Sequence, residues 1–234
     1  MLTLILAESA LETIPQNLWN HPAVRQHAKR NRKHPGSMLL DRSYHHAAMK
    51  RLEQSERRGR PDIAHFSLLE AQGSPLNKER LLTTYVHTIN DHVTWVNPEA
   101  RLPRDCIRFS SLIGQLFESK QVPLDTDRPL LTLKKQTLRE LIQDVKPSHI
   151  LALSRLGQPQ TLETCISNLS QEIKPTVLVG GFPRGHFSKT TMKLADKVIC
   201  IDSEMLETWT MVSRVIYEFE RALSLPKQRI DAIR

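Results

Sequence analysis

The chain has 234 residues and a mass of 26.9 kDa, about one and a half times a typical domain. Hydrophobic residues make up 39% and charged residues 25%, which excludes a disordered or collagen-like chain and allows a real core. With 33 Lys and Arg against 25 Asp and Glu the formal net charge is +8, and that excess directs attention to polyanionic partners.

Leu2–Ala7 reads as a first buried strand, and it runs directly into Glu8. No basic leader, cleavage site or run of about 18 apolar residues is present, so a soluble, cytoplasmic protein without a membrane partner is expected. Between Arg25 and Arg60 eleven basic residues face only Asp41, Glu53 and Glu56. One concentrated positive window is the footprint of a nucleic-acid partner, with a solvated basic face as the plain alternative. A lipid surface is the weaker rival, since the window has no long apolar face. Ser43 is placed to cap a helix over Tyr44–Glu56, and His45-His46 lacks a metal-ligand spacing, so no metal is expected. Gly59 and Pro61 make Arg57–Asp62 a loop.

Ile63–Glu70, Thr84–Ile89 and Val93–Val96 have strand composition, suggesting a small β elaboration in the middle of the chain, within about residues 20–100 of one domain. Phe109, Leu112, Ile113, Leu116 and Phe117 repeat as one face of a buried helix, with Arg101, Arg104 and Arg108 at its entrance. From Pro129 onward strands and helices alternate. Strands are expected at Leu130–Leu133, His149–Ser154, Thr176–Val179 and Lys197–Ile201. Helices are expected at Lys134–Val145, Pro159–Glu172, Phe187–Ala195 and Glu204–Leu223. This spacing implies βαβ units, hence a mostly parallel α/β sheet with helices on both faces. Leu225–Arg234 is expected to fray. Cys106, Cys165 and Cys200 are too few and too far apart for a disulfide framework and read as buried thiols.

Three of the eight glycines fall within Val179–Gly185, where the backbone needs positive φ or close approach. A P-loop is excluded because His186-Phe187 stands where Lys-Ser/Thr is required. The dinucleotide pattern fails because Phe182 occupies its second glycine. Ligands in parallel sheets sit beyond the carboxyl ends of the strands. Leu153-Ser154, Gly180-Gly181 and Ile201-Asp202-Ser203 are three such ends, expected to converge in one pocket.

Four short elements in order resemble a known family. They are Arg60-Pro61-Asp62-Ile63 after a basic helix, Ser74–Lys78, Asn97-Pro98 followed by Arg101–Arg104 and Arg108-Phe109, and the late glycine loop through Gly185. The chain resembles, over nearly its whole length, the small-subunit ribosomal RNA pseudouridine N1-methyltransferases. The resemblance implies a SPOUT-class fold with a C-terminal trefoil knot, S-adenosylmethionine as methyl donor, a role in small-subunit assembly, and a homodimer through the knot region. It also implies site residues. Leu153, Ser154, Gly180, Gly181, Gly185 and Ile201 would form the donor pocket together with Asp202, Ser203, Glu204, Met205 and Leu206, a run where eukaryotic members carry a Ser-Asn-Tyr-Pro-Leu-like segment. Arg60 and Asp62 would meet the target base, and Arg101, Arg104 and Arg108 the RNA.

The residue types suit that chemistry. Pseudouridine is carbon-linked to its sugar and exposes an N1–H, a weak acid whose proton must be taken up as the nitrogen attacks. Asp62 is the candidate acceptor. Arg60 either stabilises negative charge on the base carbonyls or orients Asp62 and contacts phosphate; the bland reading is a surface ion pair. A non-catalytic assembly factor, or a methyltransferase for another RNA nucleotide, remains the alternative.

Overall fold

The first strand sets the two faces of the molecule. A computed structural model describes residues 1–233, with β1 at Leu2–Ser9. Leu2, Leu4 and Leu6 enter one apolar layer, and Ile5 and Ala7 enter the other, as alternation along a strand requires. Because both faces are covered, all of β1 is buried, and its first six residues are apolar apart from Thr3.

The chain then leaves the sheet. α1 (Pro22–Asn31) and α2 (Arg42–Met49) close a satellite core of Ile14, Leu18, Val24, Met38, Leu40 and Met49. Asp41, not Ser43, caps α2, its carboxylate accepting the Ser43 N–H at 2.8 Å. The expected helix to Glu56 stops at Met49, and Leu52 folds back into the satellite core.

α3 (Pro61–Gly73) corrects the strand expected at Ile63–Glu70. Ile63, Ala64, His65, Ser67, Leu68 and Ala71 are all buried, so the helix is apolar on most sides and shows no amphipathic period to separate it from a buried strand. Pro61 at the first helical position was the available signal.

A short α4 (Pro75–Lys78) leads into β2 (Leu82–Thr88) and β3 (His92–Val96). Then come α5 (Cys106–Ser119), β4 (Gln121–Val122), β5 (Leu131–Lys135) and α6 (Leu138–Val145). The remainder is β6 (His149–Pro159), α7 (Leu162–Leu169), β7 (Pro175–Gly180) and α8 (Lys189–Met192), followed by β8 (Lys197–Cys200), α9 (Thr208–Ala222) and α10 (Leu225–Asp231). The tail expected to fray is α10, with Leu225 buried; Arg234 lies outside the described residues.

All strands form one eight-stranded sheet in the order β4-β5-β3-β2-β1-β7-β6-β8. β1 pairs parallel with β2 and β7, and β6 pairs parallel with β7 and β8. The β2–β3 hairpin, the small β elaboration expected in the middle of the chain, is built into the main sheet and continues antiparallel through β5. The parallel strands bring their carboxyl ends to one edge, and β1 is where the connections change direction.

Candidate active site

The expected convergence of strand ends takes place. Beyond β6, β7 and β8 a cavity, open to solvent on one side, is lined by Leu153, Ser154, Gly180 and Gly185, at the place where parallel sheets bind ligands. Ile201, Asp202, Glu204, Met205 and Leu206 complete the far wall. These residues occupy the turn before α9, which is why that helix begins at Thr208 rather than Glu204. The Thr208 hydroxyl donates to the Gly180 carbonyl at 2.8 Å and ties the start of α9 to the glycine loop.

Two expected residues do not line it. Ser203 is exposed beside it. Gly181 faces β1 instead: its N–H donates to the Ala7 carbonyl at 2.9 Å, its carbonyl accepts from Ala10 at 2.8 Å, and an added Cβ would lie 2.1 Å from the Ser9 hydroxyl. Gly185 has φ +90°, a conformation that favours glycine. Sequence reasoning took only the glycines from this loop, yet Phe182, Arg184 and His186 also line the cavity.

The lining suits an adenosine. Leu153, Phe182, Ile201 and Leu206 supply apolar surface for a base, and the strand ends carry backbone groups beyond the last ladder bonds. Ile199 pairs with both Leu153 and Gln158, so residues 154–157 arch over the end of β8. Gly157 permits this, since a Cβ there would meet the Ile199 backbone at 2.5 Å.

A polar layer at the end of β1 joins the cavity to the basic window. Glu8 is buried with φ 53°, and its carboxylate accepts from Arg57 at 2.5 Å and from the Ser188 N–H at 3.0 Å. Burial pushes the Glu8 carboxyl up, but hydrogen bonds from Ser188, Thr191 and Arg57 outweigh it and leave it below its ordinary value. The Arg57 guanidinium also lies 4.2 Å from the Phe182 ring centre. Glu12 holds Arg58 with two contacts of 2.7 and 2.5 Å. These pairs are 49 and 46 residues apart in sequence, and no local pattern could reveal them.

Arg60 and Asp62 form a bidentate pair, Nε to Oδ1 at 2.8 Å and Nη2 to Oδ2 at 2.7 Å, with side chains 35% and 31% exposed. The Arg60 N–H donates to the Ala10 carbonyl at 3.3 Å, and Ala10 donates to Gly181, so backbone bonds connect this pair to the glycine loop. Hydrogen bonding to Asp62 outweighs burial and raises the Arg60 guanidinium above its ordinary value, with Glu207 and Asp41 adding to the shift. Gly181 follows the cavity residue Gly180, so the backbone bonds through Ala10 set the pair at the cavity's flank.

Only Arg108 of the three candidate RNA arginines is helical; Arg101 and Arg104 precede α5 in irregular chain, Arg104 at a bend. All three are exposed, and among the described residues none has a carboxylate partner. Buried His65, one turn after Asp62, holds this entrance: its Nε2 donates to the Pro103 carbonyl at 2.7 Å and its Nδ1 accepts from the Cys106 thiol at 3.3 Å. Cys165 is buried as expected, whereas Cys106 is exposed and Cys200 half-buried.

Parallel strands ending in a cavity with apolar walls and free backbone groups, with an arginine–carboxylate pair on its flank, define an α/β protein built to hold a nucleotide-like ligand at its strand ends. The model of the EMG1/NEP1 methyltransferases matches residues 4–220, and the chain belongs to that family. The ribosomal RNA small subunit methyltransferase Nep1 of Pyrococcus furiosus is 45% identical over 219 residues, covering 94% of this chain and 96% of that protein. The protein of the same name from Staphylothermus marinus is 41% identical over 224 residues, covering 96% and 97%. Among solved structures, Archaeoglobus fulgidus Nep1 bound to S-adenosylhomocysteine matches with a TM-score of 0.84 and 36% identity, covering 95% and 98%.

Proposed function

We propose that this chain methylates small-subunit ribosomal RNA, using S-adenosylmethionine, at N1 of a pseudouridine. The observation that carries the reading is the cavity at the ends of β6, β7 and β8 with the Arg60–Asp62 pair beside it, backbone-bonded through Ala10 to Gly181. The names of the Pyrococcus and Staphylothermus relatives supply the RNA, and the S-adenosylhomocysteine of the Archaeoglobus structure supplies the ligand class.

S-adenosylmethionine, when bound, supplies a methyl group on a positively charged sulfur. The residues to hold it are Leu153, Ser154, Gly180, Gly185 and the Ile201–Leu206 turn. Asp62 then acts on the base. Arg60 occupies one lone pair on each Asp62 oxygen, leaving the others to accept the N1–H as that nitrogen becomes a nucleophile, a role worth about 10²- to 10⁴-fold. Arg101, Arg104 and Arg108 hold phosphates, and the target base leaves its stack to reach the cavity.

The finer assignments belong to the same reading. The arch of residues 154–157 over β8 supports a trefoil knot. Half-exposed Phe66 and Trp209, in edge contact at 5.2 Å across α3 and α9, support a homodimer on that face. A role in small-subunit assembly and a cytoplasmic location follow from the substrate.

The test uses labelled donor and two otherwise identical RNA hairpins, one with pseudouridine and one with uridine. Label in the pseudouridine RNA alone is expected. Equal labelling would defeat the N1 assignment, and no labelling would favour an RNA-holding assembly factor.

A further inference from the structure

The reading above uses one cavity, and a second groove lies beside the Arg60–Asp62 pair. It lies open to solvent between α1, α2 and the start of α5. One wall is Tyr44, 47% exposed and stacked on His27 at 4.2 Å; the other carries Ile107, 66% exposed. Arg30 and Lys33 stand at the rim without carboxylate partners among the described residues, and Lys33 reaches across to donate to the Ser111 hydroxyl at 3.1 Å. Two contacts fix the groove next to the pair. Asp41, which lines it, precedes Arg42, whose N–H donates to the Gly59 carbonyl at 2.9 Å. Cys106, which also lines it, donates to His65, one turn along α3 from Asp62.

We propose that this groove takes a second nucleotide of the RNA, an unpaired base neighbouring the target, with its face on Tyr44 and its phosphate at Arg30 and Lys33. The inference deepens the reading in which Arg60 and Asp62 receive the target base. Extruding that base removes a stacking partner from its neighbour, and an aromatic face opposite an apolar wall replaces the lost stack for any base type. Two exposed apolar side chains are too little for a stable protein interface, whereas unpaired cations beside an aromatic ring match a single-stranded backbone.

The test is fluorescence anisotropy with saturating S-adenosylhomocysteine, on the pseudouridine hairpin and a series carrying one abasic residue at each loop position. Wild-type protein is expected to lose about ten-fold in affinity at a position flanking the target. Tyr44→Ala is expected to lose about ten-fold on the intact RNA and to become insensitive to that same abasic position. A Tyr44→Ala protein that binds every RNA like wild type, or keeps wild-type sensitivity at every position, overturns the proposal. S-adenosylhomocysteine affinity reports on folding; should Tyr44→Ala fail that check, Ile107→Glu replaces it with the same two outcomes. Arg30→Gln with Lys33→Gln should lower the slope of log K against log salt by about two, and an unaltered slope overturns the phosphate contacts. Methyl transfer by the wild-type protein judges the target-base assignment separately, because the abasic map needs no turnover.

Discussion

The two ends of the basic window behave differently. Arg57, Arg58 and Arg60 each hold a carboxylate, at Glu8, Glu12 and Asp62, while Arg25, Lys29, Arg30, Arg32 and Lys33 have no such partner among the described residues. In sequence the two groups look alike. The difference teaches that a positive run measures two things at once: arginines that organise the protein around a site, and cations left over for phosphate. Subtracting the three paired arginines leaves eight cations without a carboxylate partner among the described residues, five from Arg25 to Lys33 on and just after α1, and Arg42, Lys50 and Arg51 on and just after α2.

Each half of that contrast can be broken separately. The largest effect is expected at the paired end, where Asp62→Ala should lower turnover by about 10²- to 10⁴-fold in single-turnover assays with donor affinity retained. An unchanged rate removes Asp62 from the chemistry. Arg58→Ala leaves Glu12, whose side chain is 3% exposed, with the Asn90 amide at 2.8 Å but no counter-charge, and should cost about 3 kcal/mol of stability in urea unfolding. A matching Lys33→Ala, at the unpaired end, should stay within about 0.5 kcal/mol; equal losses would erase the distinction.

The histidines under the unpaired end give a pH signature. His45 is fully buried; its Nδ1 accepts the Asp41 N–H at 3.0 Å, so its proton sits on Nε2, 2.9 Å from His27 Nδ1. Burial, with His27 adding, pushes it down to about 4 from an ordinary 6.5. A depressed histidine takes up a proton on unfolding, so its stabilisation is complete above about pH 6.5 and is lost as pH falls towards 4. Urea unfolding should show a loss on the order of 2 kcal/mol between pH 7 and 5 that His45→Gln removes; an identical pH profile in that variant would contradict the buried neutral pair. The smallest effect is expected just before α5, where Arg104→Ala should lower the salt slope of RNA binding by about one.

How much of this was legible follows from range. The strand ends and glycine loop were readable because βαβ alternation and clustered glycines are local signals, and Arg60 and Asp62 were readable as neighbours. Glu8, Glu12 and the His27–His45 contact were not, since each partner lies 18 to 49 residues away. Gly181 packs against β1 although sequence placed it with the ligand residues, because close approach to another strand and close approach to a ligand leave the same mark in sequence.

Calorimetric titration with S-adenosylhomocysteine, run on the wild-type chain and on Asp62→Ala, tests the central claim most directly. Saturable heat with one molecule bound per chain, and the same affinity in both proteins, is predicted. No heat from the wild-type chain would contradict the donor cavity and leave a basic RNA-holding protein.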